Sequence, residues 1–247
     1  MDFSSLSPVE WGLVILCAML VGMSKTGVMG AGLIVIPILA GVFGGKLSTG
    51  FLLPMLSVAD IFAVRYYNRH AQWPFLVKLL PWTLGGIALG VWFGDAISDQ
   101  QFKTTIGIII FICLGLMIWR DLQKNTLAIP GHWWISALTG LVGGFATMIG
   151  NAAAPIMAIY LLSMRLPKND YIGTAAWLFL IINLLKIPLH VFIWHTITLD
   201  SIKLNAMMIP AIALGAIVGF RVVRILPERA YRIFLIVSTA VSAFFLF

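Results

Sequence analysis

The chain has 247 residues, of which 61% are hydrophobic and 10% charged, and its mean hydropathy is +1.02. Soluble domains carry about 25% charged residues, and much of any soluble fold's surface must face water, so this composition excludes a soluble enzyme or binding domain. The net charge of +7 comes from Lys and Arg residues in the short gaps between apolar runs, where cytoplasmic loops carry them; it does not mark a nucleic-acid patch.

In chain order, the first ten residues carry two acids and no Lys or Arg. They lack the basic start of a signal peptide, so the first apolar run is expected to be retained. A membrane-crossing helix needs about 20 apolar residues. Ten runs qualify as helical, at 8–24, 27–45, 47–66, 75–97, 102–119, 132–149, 151–164, 171–189, 203–223 and 228–246. They are long and do not alternate, which argues against a barrel. Runs 8–24, 27–45, 132–149 and 151–164 are short or glycine-rich. Cys17 and Cys113 lie inside apolar runs and read as packing thiols.

The two halves match. Gly22, Gly32 and Pro37 reappear 118 residues on as Gly140, Gly150 and Pro155; Pro81, Gly86 and Gly90 reappear 129 residues on as Pro210, Gly215 and Gly219. The expected fold is therefore all-α: a polytopic membrane protein of about ten helices, some short or broken, in two five-helix repeats. The repeats are 1–124, with apolar runs to 119, and 125–247, within one integral membrane unit. Five crossings per half invert the second half against the first, and re-entrant short pairs would keep that parity. With the loop after the third run inside, twelve Lys and Arg fall inside, and only Lys46, Lys103 and Lys203 outside. Both termini are then outside. Gly86, Gly90 and Gly94, like Gly215 and Gly219, are spaced for close helix packing, within the chain or in a homodimer.

Inverted repeats with glycine-broken segments at matching places point to a transporter's binding site. The first such segment, GMSKTGVMGAGLIVIP, offers Ser24, Lys25, Thr26, Gly30 and Gly32. The second, GLVGGFATMIGNAAAP, offers Thr147, Gly150 and Asn151. Broken helix ends present N–H donors and partial positive charge, which suit an anion. Neither segment has a carboxylate, so no metal is expected there. Arg65 and Lys186 hold similar places in the two halves and are candidates for an anion clamp, with Asn183 a turn from Lys186. Each cation also fits a snorkelling role. Asp60, a carboxylate within an apolar run, is a candidate for carrying a coupling proton, with a structural hydrogen bond or a pairing to a distant Lys as the alternative. His70 and His190 read as helix-end histidines, and with His132 and His195 they form no catalytic motif. Trp11, Trp73, Trp82, Trp133 and Trp134 read as interfacial anchors.

The segment GMSKTGVMGAGLIVIPIL, followed by a charged turn and a second run, resembles the sulfite exporter TauE/SafE family of membrane permeases. So does GLVGGFATMIGNAAAPIMAIYLL in the second half, and the resemblance covers nearly the whole chain. It implies transport of sulfite, sulfonates such as sulfoacetate, or other organosulfur anions across a bacterial inner membrane. The expectation is thus a secondary transporter of a small organosulfur anion, an exporter working by alternating access with coupling to protons. An anion channel of the same fold is the alternative, and a membrane enzyme or a non-transporting scaffold fits less well. The expected partners are that anion and the lipid bilayer, with no cofactor.

Overall fold

In the computed structural model, residues 6–26, 31–122, 133–164 and 166–225 are described. Among them the chain is entirely helical. The helices are α1 (Pro8–Lys25), α2 (Ala31–Phe43), α3 (Gly45–Tyr67), α4 (Trp73–Ala96), α5 (Asp99–Leu122), α6 (Trp133–Gly150), α7 (Ala154–Ser163), α8 (Lys168–Phe192) and α9 (Leu199–Ile225), with a 3-10 turn at Asn68–His70. The expected run at 228–246 lies outside the described residues. Seven helices, all but α2 and α7, are long and apolar enough to cross a membrane. The short pairs foreseen around 27–45 and 151–164 are α2, of 13 residues, and α7, of 10.

Local chemistry sets the helix ends. Ser7 and Glu10 form a reciprocal capping box at the start of α1, with Pro8 in its first turn. Gly44, at φ 90°, turns the chain from α2 into α3. The carboxylate of Asp99, from the start of α5, then accepts from the N–H groups of Gly45 (3.1 Å) and Lys46 (3.0 Å). An anion placed there satisfies free donors and the positive end of the α3 dipole.

The long helix α3 is the most deeply buried and runs through the centre against α8. On either side, α1 packs on α9 and α6 packs on α4. Glycines make both flanking contacts. A Cβ on Gly22 would collide with the backbone of Ile212 and Ala216, and one on Gly144 with the backbone of Thr83 and Ile87. From the facing helices, Gly215 closes on Met19 and Gly86 on Leu141. Further along, Gly219 meets Thr26 and Gly90 meets Met148. The packing counterpart of Gly22 is thus Gly144, one turn beyond the Gly140 matched by spacing. These glycines are used inside the chain, so they give no support to a homodimer.

Candidate functional site

α8 carries Phe179, Asn183, Lys186 and His190 at intervals of four, three and four residues, which places all four on one helix face. Asn183, Lys186 and His190 are buried, Lys186 and His190 completely. A buried lysine requires partners, because desolvating an unpaired ammonium is costly. Lys186 finds them at the broken end of α6. Its Nζ donates to the Thr147 carbonyl (2.7 Å), the Thr147 hydroxyl (3.1 Å) and Oδ1 of Asn151 (2.5 Å). An ammonium has three donors, and three oxygens meet them. The contact also places a cation on the negative end of the α6 dipole.

The break that creates this nest is local. α6 ends at Gly150, and Asn151 follows at φ 54°, the left-handed region that Asn tolerates better than most residues. The Asn151 side chain donates to the Thr49 carbonyl of α3 (3.1 Å), which fixes its Oδ1 toward Lys186. Cys113 of α5 covers the break by donating to the Ala152 carbonyl (3.2 Å). Cys17 and Cys113 are both free and buried, as packing thiols should be.

On the other side, Asp60 of α3 is fully buried. Lys25, in the last turn of α1, sets its Nζ 2.8 Å from Asp60 Oδ1. Asn183 donates to Oδ2 (2.7 Å). Lys25 also lies over the Phe179 ring, 4.5 Å from its centroid. The helix end beside it is closed by Thr26, whose hydroxyl sits 3.1 Å from both the Gly22 carbonyl and the Ala216 carbonyl of α9. Asn183 and Lys186 thus carry the polar face of α8 from Asp60 to the α6 break.

The structure therefore brings together Lys25, Asp60, Thr147, Asn151, Asn183 and Lys186. Ser24 and Thr26 stand beside them but spend their hydroxyls on backbone carbonyls, Ser24 on Val21 (2.9 Å). Gly32 lies in the first turn of α2 next to Ser24, and Gly150 is the last residue of α6. Gly30 lies outside the described residues. Arg65 is exposed in the last turn of α3, so the second cation at this centre is the partly exposed Lys25. Asp60 has the distant lysine weighed above as its alternative partner.

Two residues escaped the sequence reading. Phe179 takes part through its ring, and its spacing from Asn183 on α8 was the available signal. Thr49 takes part through its carbonyl, for which no side-chain signal exists. His190 lies in the last turn of α8, at a helix end as read, and is fully buried; its Nδ1 lies 2.8 Å from the Thr196 hydroxyl, and its Nε2 has no partner. His70 pairs with Asp170 (3.1 Å), which also accepts from Gln72 (2.9 Å), at the end of the molecule where α8 begins. No cluster of His, Cys, Asp and Glu suited to a metal occurs among the described residues.

Comparison with known proteins adds an independent line. The family model described as Sulfite exporter TauE/SafE matches residues 14–246. The curated "Probable membrane transporter protein MamO" of Paramagnetospirillum magneticum is 21% identical over an alignment covering 81% of this chain and 42% of that protein. The chain thus spans less than half the length of that relative. No solved structure matches the chain.

Proposed function

Because the chain belongs to the sulfite exporter TauE/SafE family, a family of multi-pass membrane transporters, we propose that it is a secondary transporter exporting a small organosulfur anion, such as sulfite or a sulfonate like sulfoacetate. The observation that carries this reading is Lys186. A cation fully buried among neutral oxygens at a helix break, with no carboxylate against it, is a place that an anion completes.

Alternating access is supported by the reciprocal packing of the chain. The contact of Gly22 with Ile212 and Ala216 is repeated by Gly144 with Thr83 and Ile87, and the contact of Gly215 with Met19 by Gly86 with Leu141. Each relation advances α1 to α6 by 122 residues and α4 to α9 by 129. This favours two inverted repeats, 1–124 and 125–247, rocking about a site at their interface. Enclosure of Asp60, Asn183 and Lys186 favours a carrier over a channel. The charge bias of the loops favours an inner-membrane orientation with both termini outside. Asp60 faces Lys25 with one oxygen and accepts from Asn183 with the other, which favours a fixed counter-ion over a carrier of the coupling proton. Asp60→Asn transport that still follows a pH gradient in proteoliposomes would remove it from proton coupling.

The direct test is ligand-induced thermal stabilisation of the purified protein with sulfite, thiosulfate, sulfoacetate, taurine and matched carboxylates. A sulfur anion should raise the melting temperature of wild type and not of Lys186→Gln. Stabilisation by a cation alone would sink the reading.

A further inference from the structure

The charges of this centre can be counted. Among the described residues, the charged types fully buried are Asp60, Lys186 and His190, with Lys25 reaching in from the end of α1. Asp60 has the geometry of a carboxylate: Oδ1 faces an ammonium at 2.8 Å and Oδ2 accepts an N–H at 2.7 Å, so neither oxygen is placed to hold a proton. Lys186 is counted as an ammonium, for whose three donors the Thr147 carbonyl, the Thr147 hydroxyl and Asn151 Oδ1 provide three oxygens. His190 is neutral, because an imidazolium needs two acceptors and only its Nδ1 meets one. Lys25 and Asp60 cancel. The dipole end of α6 steadies Lys186 without cancelling it. One positive charge is left.

Resting on the anion-transport reading above, we propose that Asp60 sets the valence of the cargo: by neutralising Lys25 it leaves a site of net charge one, which selects singly charged anions over doubly charged ones. A monoanion brings the enclosed centre to neutrality. A dianion leaves a negative charge, and a neutral solute leaves the positive one; either is costly where water cannot screen it. Asp60 therefore acts as a specificity residue without touching the cargo. Of the cargoes named above the rule favours hydrogen sulfite, with simple alkanesulfonates. It disfavours disulfonates and sulfoacetate, whose sulfonate and carboxylate make it a dianion near neutral pH.

The test uses proteoliposome flux of methanesulfonate and methanedisulfonate, which are fully ionised as a monoanion and a dianion throughout the working pH range, with acetate and malonate in parallel near neutral pH. Wild type should show a KM for methanesulfonate at least about tenfold below that for the disulfonate. Asp60→Asn raises the site to two positive charges and should shift this ratio at least about tenfold toward the dianion. Lys25→Met leaves no net charge and should raise the monoanion KM. The double variant Lys25→Met/Asp60→Asn restores a net charge of one and should restore the wild-type ratio, which also covers the case in which Asp60→Asn alone does not fold. An unchanged ratio in Asp60→Asn or in the Lys25→Met series, or a wild type that prefers the dianion, overturns the proposal. If only the carboxylate pair moves, with an Asp60-dependent ratio, the organosulfur reading fails and the charge rule stands. If no anion moves, both fail.

Discussion

Two lysines reach the centre of this molecule from opposite sides, in different company. Lys25 comes from the end of α1, meets the carboxylate of Asp60 and rests on the Phe179 ring. Lys186 comes from α8, where it meets only neutral oxygens at the end of α6. The positions correspond: Lys25 and Thr147 are related by the same 122-residue step that relates the packing glycines of α1 and α6. On the proposed repeat, one half places an ion pair where the other places a cation with dipolar partners. An ion pair contributes to folding and has little left for a ligand. A cation held by dipoles stays electrostatically open, and that side is the one suited to binding.

The contrast breaks first in stability. Asp60→Ala strands Lys25 without a carboxylate and should cost about 3 kcal/mol, the low end for a broken buried pair because the Lys25 side chain is 16% exposed. Lys186→Met removes a buried charge but strands neutral acceptors in place of a charge, so it should cost about 1–2 kcal/mol, less than Asp60→Ala. Denaturation in detergent measures both, and equal losses would mean that the two lysines are not different in kind. Anion affinity should show the reverse order. Lys186→Gln removes the positive charge rather than a direct hydrogen bond, since the three Lys186 donors are already met. It is expected to weaken binding by roughly 10–100-fold, the size of a charge–charge attraction over several ångströms at an effective dielectric of about 20.

The frame itself is tested by glycines. Gly22→Ala and Gly144→Ala place a Cβ against backbone that cannot yield, and each should cost about 1–3 kcal/mol. Gly12→Ala and Gly115→Ala, which meet nothing within 4 Å, should lose nothing. A large loss at Gly22 with none at Gly144 would argue against equivalent halves. Asn151→Ala forces a left-handed backbone on alanine and removes an acceptor from Lys186, for about 1–2 kcal/mol. Asn151→Gly keeps the backbone and isolates the loss of the side chain. The smallest effect belongs to Asp170→Asn. The contact it alters involves a His70 side chain that is 44% exposed, so a change below about 0.5 kcal/mol is expected.

Most of the scaffold was legible because a bilayer imposes long, uniformly apolar helices, and those appear in composition. The four-residue glycine spacing announced close helix contacts, but not which helices would meet, and the register of α1 against α6 came out a turn away from the best string match. Spacing tolerates such a slip; colliding backbone does not. The site was legible in part. Lys25, Asn151, Asn183 and Lys186 stood out because polar groups are rare in apolar runs and have few reasons to be there. Arg65 stood out for the same reason and lies exposed, since a position near a helix end leaves snorkelling and burial equally open.

From its sequence alone this protein was determined to be helical, to lie in a membrane and to resemble one transporter family. These follow from local composition, to which the solvent responds residue by residue. Only the tertiary structure decided that Asp60 answers Lys25 and that Lys186 answers the end of α6. Those pairings join residues 35 and 39 positions apart. They depend on how four helices, α1, α3, α6 and α8, come together, and a charge in low dielectric takes whichever partner the packing brings within reach.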